Sequence, residues 1–155
     1  MKIKGNVNSR SSTIDTNSDN HYVLTNKVLY GSTSDAATAV ELTTDGATGS
    51  GSTNRIAVTP NSTMSCVVNI AVKQTGSANS KQMLRQILIT NNGGTTSIQG
   101  TVTTLGTDVT SAGLATVTCS IAANDTDDCI RVTVNGVLAT QLKYTCFIIS
   151  TVVIY

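Results

Sequence analysis

The chain has 155 residues, a formal net charge of +1 and only 12% charged residues, about half the usual share for a soluble domain. Its ten basic residues are scattered, which argues against nucleic acid as a partner, because phosphate binding needs clustered Lys and Arg. No run approaches the roughly 18 consecutive apolar residues of a membrane span. No apolar stretch follows Met1-Lys2-Ile3-Lys4-Gly5-Asn6, so neither membrane insertion nor a secretion signal is expected, and Met1 reads as the start of a complete frame.

The length fits one domain. With one Phe, four Tyr and no Trp, the core has to come from Val, Ile, Leu, Ala and Thr. Most of these are β-branched and suit a pleated sheet. So few charges leave little repulsion between copies, which favours oligomers.

Residues 1–20 read as an extended polar arm, with Lys2, Lys4, Arg10 and Ile14 as its candidate assembly residues. The arm is too poor in apolar side chains to offset its ordering entropy, so it is either disordered or ordered by a neighbour. A sandwich domain is expected over residues 21–155. Val23 to Tyr30 is a first strand, and Ala36 to Thr43 alternates loosely. Asp45 to Ser52 is a turn region by composition. Arg55 to Thr59 is a short strand stopped by Pro60. From Met64 to Val72, the residues Met64, Cys66, Val68, Ile70 and Val72 share one face, a period-two signal. A loop at Gly76–Ser80 leads to a strand over Met83–Ile89, which ends at the turn Asn91-Asn92-Gly93-Gly94. Thr95 to Leu105 is Thr-rich, and Gly100 within it marks a bulge. Val117, Cys119 and Ile121 alternate on one arm of a late hairpin, and Ile130, Val132 and Val134 on the other, joined by Asn124–Asp128. Asn135-Gly136 reads as a tight turn, and Gln141 to Ile154 as the last strand. About nine strands with no helical period imply an all-β fold, an antiparallel β-sandwich of jelly-roll-like type.

The chain offers little catalytic material. His21 is the only imidazole, and a nucleophile needs a base beside it. Asp125, Asp127 and Asp128 sit in a hairpin loop without the glycine and closing Glu of a calcium loop, so they read as a charged tip kept in water. Gly46, Gly49 and Gly51 are followed by neither Lys-Ser nor Lys-Thr, as a phosphate loop requires. No enzyme, metal or cofactor is expected. Cys66, Cys119, Cys129 and Cys146 lack metal-site spacing. Either they are free thiols, or they form Cys66–Cys146 and Cys119–Cys129 bridges, the first gaining roughly 4 kcal/mol in the chain-entropy model.

Several segments recur in an order that resembles a module of bacteriophage tail-fibre and related virion proteins. They are Ser34 to Gly46 with its Glu41-Leu42-Thr43-Thr44-Asp45-Gly46 end, Asn54-Arg55-Ile56, Pro60 to Gly76, Gly94-Thr95-Thr96, Thr104 to Asp108, and Val132 to Gly136. The chain departs from that pattern at Met83 and Val117, where Trp is common, and at Cys66, where Phe is common. Arg85 falls in phase with Met83 and Ile87, where an apolar residue is expected. The resemblance implies a homotrimeric virion structural protein without catalytic residues: a short tail fibre of the tail or baseplate that takes part in host attachment. The alternative is a capsid decoration protein that stabilises the head. Loops on rigid scaffolds usually carry binding. Ser77, Asn79, Asn91, Asn92, Asn124, Asp125, Asp127 and Asp128 are therefore the candidate contacts to a host surface polysaccharide, and other virion proteins are the further expected partners.

Overall fold

Alternation runs the length of the longest strands, and it sets the architecture. In a computed structural model, described for residues 11–15, 22–35 and 38–155, the chain is an antiparallel β-sandwich. Its strands are β1 (Ser11–Asp15), β2 (Tyr22–Thr33), β3 (Val40–Leu42), β4 (Ile56–Ala57), β5 (Ser62–Gln74), β6 (Ser80–Asn92), β7 (Thr95–Ile98), β8 (Thr103–Thr104), β9 (Val109–Thr110), β10 (Cys119–Asn124), β11 (Cys129–Val134) and β12 (Leu142–Ile154). One sheet runs β1-β2-β12-β5-β6-β7, with β8 and β9 also on the free edge of β6. The second sheet is smaller, with β10-β11-β3 in order and β4 beside β11.

Four strands of 12 or 13 residues, β2, β12, β5 and β6, form the body of the large sheet. The inner face of β12 buries Leu142, Tyr144, Cys146, Ile148, Ser150 and Val152. That of β5 buries Met64, Cys66, Val68, Ile70 and Val72. The small sheet closes over them with Leu42, Ile121, Ile130, Val132 and Val134. A short 3-10 turn at Ala112–Leu114 inserts Leu114, fully buried, into the same core. Tyr144 is the one buried aromatic among the described core residues. Its hydroxyl donates to Asn135 O at 2.8 Å and lies 3.2 Å from Thr33 Oγ1, so burial leaves no polar atom without a partner.

The free edge of β6 is irregular in a regular way. Between Ile98 and Thr103, five residues of the edge advance against three of β6, Ile89 to Gln86. The same five-to-three slip recurs between Thr104 and Val109. Gly100 and Gly106, at φ +77° and +72°, sit in the two slips, in the left-handed region that costs glycine least. The bulge expected at Gly100 is thus one of a pair. Such bulges break a long edge into short pieces and so blunt edge-to-edge pairing.

Three expectations change. Among the described residues of the loosely alternating segment from Ala36, the strand is Val40–Leu42. Asn135-Gly136 is not a left-handed turn: a Cβ on Gly136 would lie 2.7 Å from Asp35 O and 2.5 Å from Thr33 Oγ1, so glycine is there for close approach. Of the polar arm, Lys2, Lys4 and Arg10 lie outside the described residues, as does His21. Ser11–Asp15 pairs with the chain's own β2, Ser11 opposite Lys27 and Ile14 opposite Leu24, so what orders these five residues is the same chain.

Ile148 is fully buried and Thr151 exposed on the same strand. Ile148→Ala is expected to cost about 3 kcal/mol and Thr151→Ala less than about 0.5 kcal/mol, read as shifts in the urea midpoint.

Candidate functional site

Two of the segments that carry the module resemblance, Glu41 to Gly46 and Asn54-Arg55-Ile56, meet in space. Glu41 on β3 faces Arg55, which directly precedes β4. Arg55 Nε donates to Glu41 Oε1 at 2.6 Å and its Nη2 to Oε2 at 3.0 Å, while Nη1 reaches Asp127 Oδ2 at 2.7 Å and Gly51 O at 3.1 Å. Both side chains of the Arg55–Glu41 pair are largely buried. The Glu41 hydrogen bond holds the guanidinium charged, well above its ordinary pKa. Bidentate pairing of this kind is the strong form of the contact. Asp45 Oδ1 accepts from Thr43 Oγ1, Ala47 N and Asn54 Nδ2, each at 3.0 Å. The Ala47 N–H, then the Asn54 amide, lowers the Asp45 carboxyl below its usual range. Gly46, at φ +72°, lies under the Tyr30 ring, 2.6 Å from where a Cβ would be. Glu41, Thr43, Asp45, Gly46, Asn54 and Arg55 therefore form a clasp. It locks the loop over residues 43–55 and, through Asp127, fastens it to the late hairpin.

The clasp settles the place of the candidate loop residues. Asp125 accepts from Thr96 N, and Asp128 from Thr96 Oγ1 at 2.6 Å. Asp127 takes Arg55 and the Asn124 amide, the latter at 2.8 Å. The hairpin tip is thus tied down rather than simply held in water, because its carboxylates answer donors on β7 and before β4. Asn91 is fully buried. Its Oδ1 accepts from Gly94 N at 3.0 Å, and its amide reaches Val58 O at 3.4 Å, so it shapes the turn and is no surface contact. Asn79 donates to Gln74 Oε1 at 2.8 Å and its backbone to Ser77 Oγ at 3.2 Å, bracing its own loop. Asn92 remains exposed. Nor do the loops gather. Asn91–Gly94 and Asn124–Asp128 lie toward one end of the sandwich, and the Ser77–Asn79 loop follows the other end of β5.

A second ion pair accounts for the out-of-place arginine. Arg85 points to the inner side of β6 and is held there by Asp108, with Nη1 to Oδ1 at 2.7 Å and Nη2 to Oδ2 at 3.0 Å. The Arg85 hydrogen bond keeps the Asp108 carboxyl below its ordinary range. Lys81 lies beside them and donates to Val117 O at 2.7 Å and Ala115 O at 3.2 Å. These carbonyls hold a buried ammonium whose nearest carboxylate, Asp108, is 3.9 Å away. The sequence signal was the conflict itself, a cation in phase with a core face. Its partner, 23 residues on, carries no local mark.

All four thiols are free, and the register excludes both expected bridges. Cys66 stands opposite Ser150 while Cys146 stands opposite Ile70, four positions apart along adjacent strands. Cys119 stands opposite Val134 while Cys129 stands opposite Asn124, five positions apart. At about 3.4 Å per residue, both separations far exceed the ~7 Å reach of a disulfide. Burial pushes the Cys66 thiol up to about 12 and Cys146 further up. Cys119 sits beside Arg85 and Cys129 beside Arg55. Burial raises both, and the neighbouring guanidinium only partly offsets it. Protonated thiols are weak nucleophiles.

No protein-family model matches the chain, and no match is found among curated proteins. No cluster of three or more His, Cys, Asp or Glu that could hold a metal ion occurs among the described residues. No helix among them is long and apolar enough to cross a membrane.

Two outcomes test this. Intact mass after alkylation in denaturant, without reductant, is expected to show four modified cysteines; two or none would restore the bridges. Folded Asp108 titrates below its ordinary value, so its stabilisation is complete above about pH 4 and fades as acid passes through the lower folded value. Asp108→Asn should cost about 2 kcal/mol at neutral pH, since it leaves Arg85 half-buried and unpaired, and it should flatten the acid limb of a stability–pH curve.

Proposed function

We propose that this chain is a structural protein of a bacteriophage particle, a short tail fibre of the tail or baseplate that assembles as a homotrimer and takes part in host attachment. The observation that carries the assembly reading is the outer face of the large sheet. On β12 it exposes Phe147 (38%), Ile149 (42%) and Val153 (42%), and on β6 Leu88 (42%). Phe147 stands opposite Val28 and Ile149 opposite Val67, so apolar side chains adjoin across three strands. Lys73 and Lys143 are the only charges on this face of β5 and β12, and they pair at one end. Four strands of this length present roughly 19 by 40 Å, about 760 Å², close to the roughly 800 Å² per partner of a standard interface. Exposed apolar side chains gathered on one face mark interaction surfaces, and a face whose β5 and β12 charges are confined to two lysines at one end suits copies of a nearly neutral chain. The resemblance of the clasp segments to a virion module supplies the particle. The clasp makes those segments structural, which agrees with a building part rather than a catalyst.

Light scattering on the purified chain is expected to return three times the monomer mass, and Phe147→Asp to return the monomer. Immunogold labelling of purified virions is expected at the tail tip or baseplate. Gold spread evenly over the head would replace the fibre with a capsid decoration protein, and no gold on particles would remove the virion reading.

A further inference from the structure

The outer face of the large sheet changes character at its β6–β7 edge. Two shallow hollows lie side by side there and share Gln99. One, about 450 Å³, is lined by Thr90, Asn92, Thr95, Ser97, Gln99 and Tyr155. The other, about 370 Å³, continues past Ser65, Gln86, Thr101 and Thr103, with Ile87 and Leu88 as its apolar members. No Asp, Glu, Lys or Arg lines either one. The register explains the first. Thr90 stands opposite Ser97 and Asn92 opposite Thr95, so four short polar side chains form two rows on one face. Gln99 Nε2 donates to Thr90 Oγ1 at 3.0 Å and to Ser97 Oγ at 2.9 Å. A hydroxyl that accepts in this way keeps its own proton to donate outward. Tyr155 closes the end. Its backbone N donates to Asn61 O at 3.0 Å, while the residue stays 65% exposed.

From these residues we infer that the groove binds a neutral oligosaccharide. A phosphorylated or acidic ligand would need cations, and the walls hold none. An apolar ligand would need mostly apolar walls; those of the first hollow are hydroxyls and amides apart from the Tyr155 ring, and only Ile87 and Leu88 add apolar surface in the second. A neutral sugar offers apolar C–H faces, which suit an exposed aromatic ring, and hydroxyls, which suit Thr, Ser, Asn and Gln. The paired hollows extend from the level of Asn92 to that of Gln86, roughly 20 Å along the strand, so several sugar units in a row fit better than one. The groove is shallow, so single-site affinity is weak, and several copies on one assembly would add avidity. This rests on the attachment reading and narrows its expected saccharide to a neutral one. It also moves the contact from the loops to a sheet face.

The test is affinity electrophoresis of the full chain through gels containing dextran, mannan, galactan, a β-glucan or glycogen, with heparin and polygalacturonate as charged polymers. At least one neutral polymer is expected to retard the protein, with no loss on added salt. Tyr155→Ala and Gln99→Ala should each weaken that binding about tenfold, or about 1.4 kcal/mol. Both residues are exposed, so melting temperature should not move. Retardation by no neutral polymer, retardation untouched by both substitutions, or salt-sensitive preference for a charged polymer would each overturn the inference. Gold at the tail tip with no saccharide binding would sink the groove alone. Saccharide binding with gold over the head would keep the groove and sink the fibre.

Discussion

Everything else in the sandwich hangs on β12. It is hydrogen-bonded along its length on both sides, to β2 and to β5. A one-residue slip would turn Tyr144, Cys146, Ile148 and Val152 to the outside and bring Phe147, Ile149 and Val153 in. Both faces of this strand are apolar enough to be buried, so alternation alone does not choose between them. The polar neighbours do. Ser150 meets Thr25 on the inner side, and the Tyr144 hydroxyl finds Asn135 O there. Lys143 has no such partner inside and stays exposed.

With so few aromatics, the core gains area from strand length rather than from large side chains. A branched-aliphatic core of this kind has little to spare, and two ion-pair clusters share the remaining space. Arg55 with Glu41 and Asp127 joins the small sheet to the loop over residues 43–55. Arg85 with Asp108 fills the inner side of the edge of the large sheet. Each has a raised thiol at its flank, Cys129 in one and Cys119 in the other. Largely buried pairs of this sort add little net stability over apolar residues, but each breaks badly when one member is lost. They join the loop over residues 43–55 to β3 and the late hairpin, and Asp108 to β6.

The outer face has two chemical characters that the sequence shows as one hydroxyl-rich surface, and each carries one of the proposed roles. Around β12 it is apolar and suited to copies of itself. Toward β7 it is a neutral groove ending at Tyr155. The two proposed surfaces meet on β6, where Leu88 belongs to both.

Fold class, the inner face of β5 and β12, the late hairpin and the Gly100 bulge were legible in the sequence by itself. Alternation is a local property, and glycine reports a local backbone demand. The arginine on the core face was legible only as a contradiction. Partners were not legible: Asp108 for Arg85, Asp127 for Arg55, Thr96 for Asp125 and Asp128. Nor was the failure of both cysteine bridges. A pairing in register decides each of these, and register depends on where every other strand lies. The internal partners of the candidate loop residues were hidden for the same reason. Their Asn and Asp side chains looked free because a sequence does not show which donors the fold brings within reach, and only the packed sheets decided that Asn91 is buried and that Asp125, Asp127 and Asp128 answer Thr96 and Arg55.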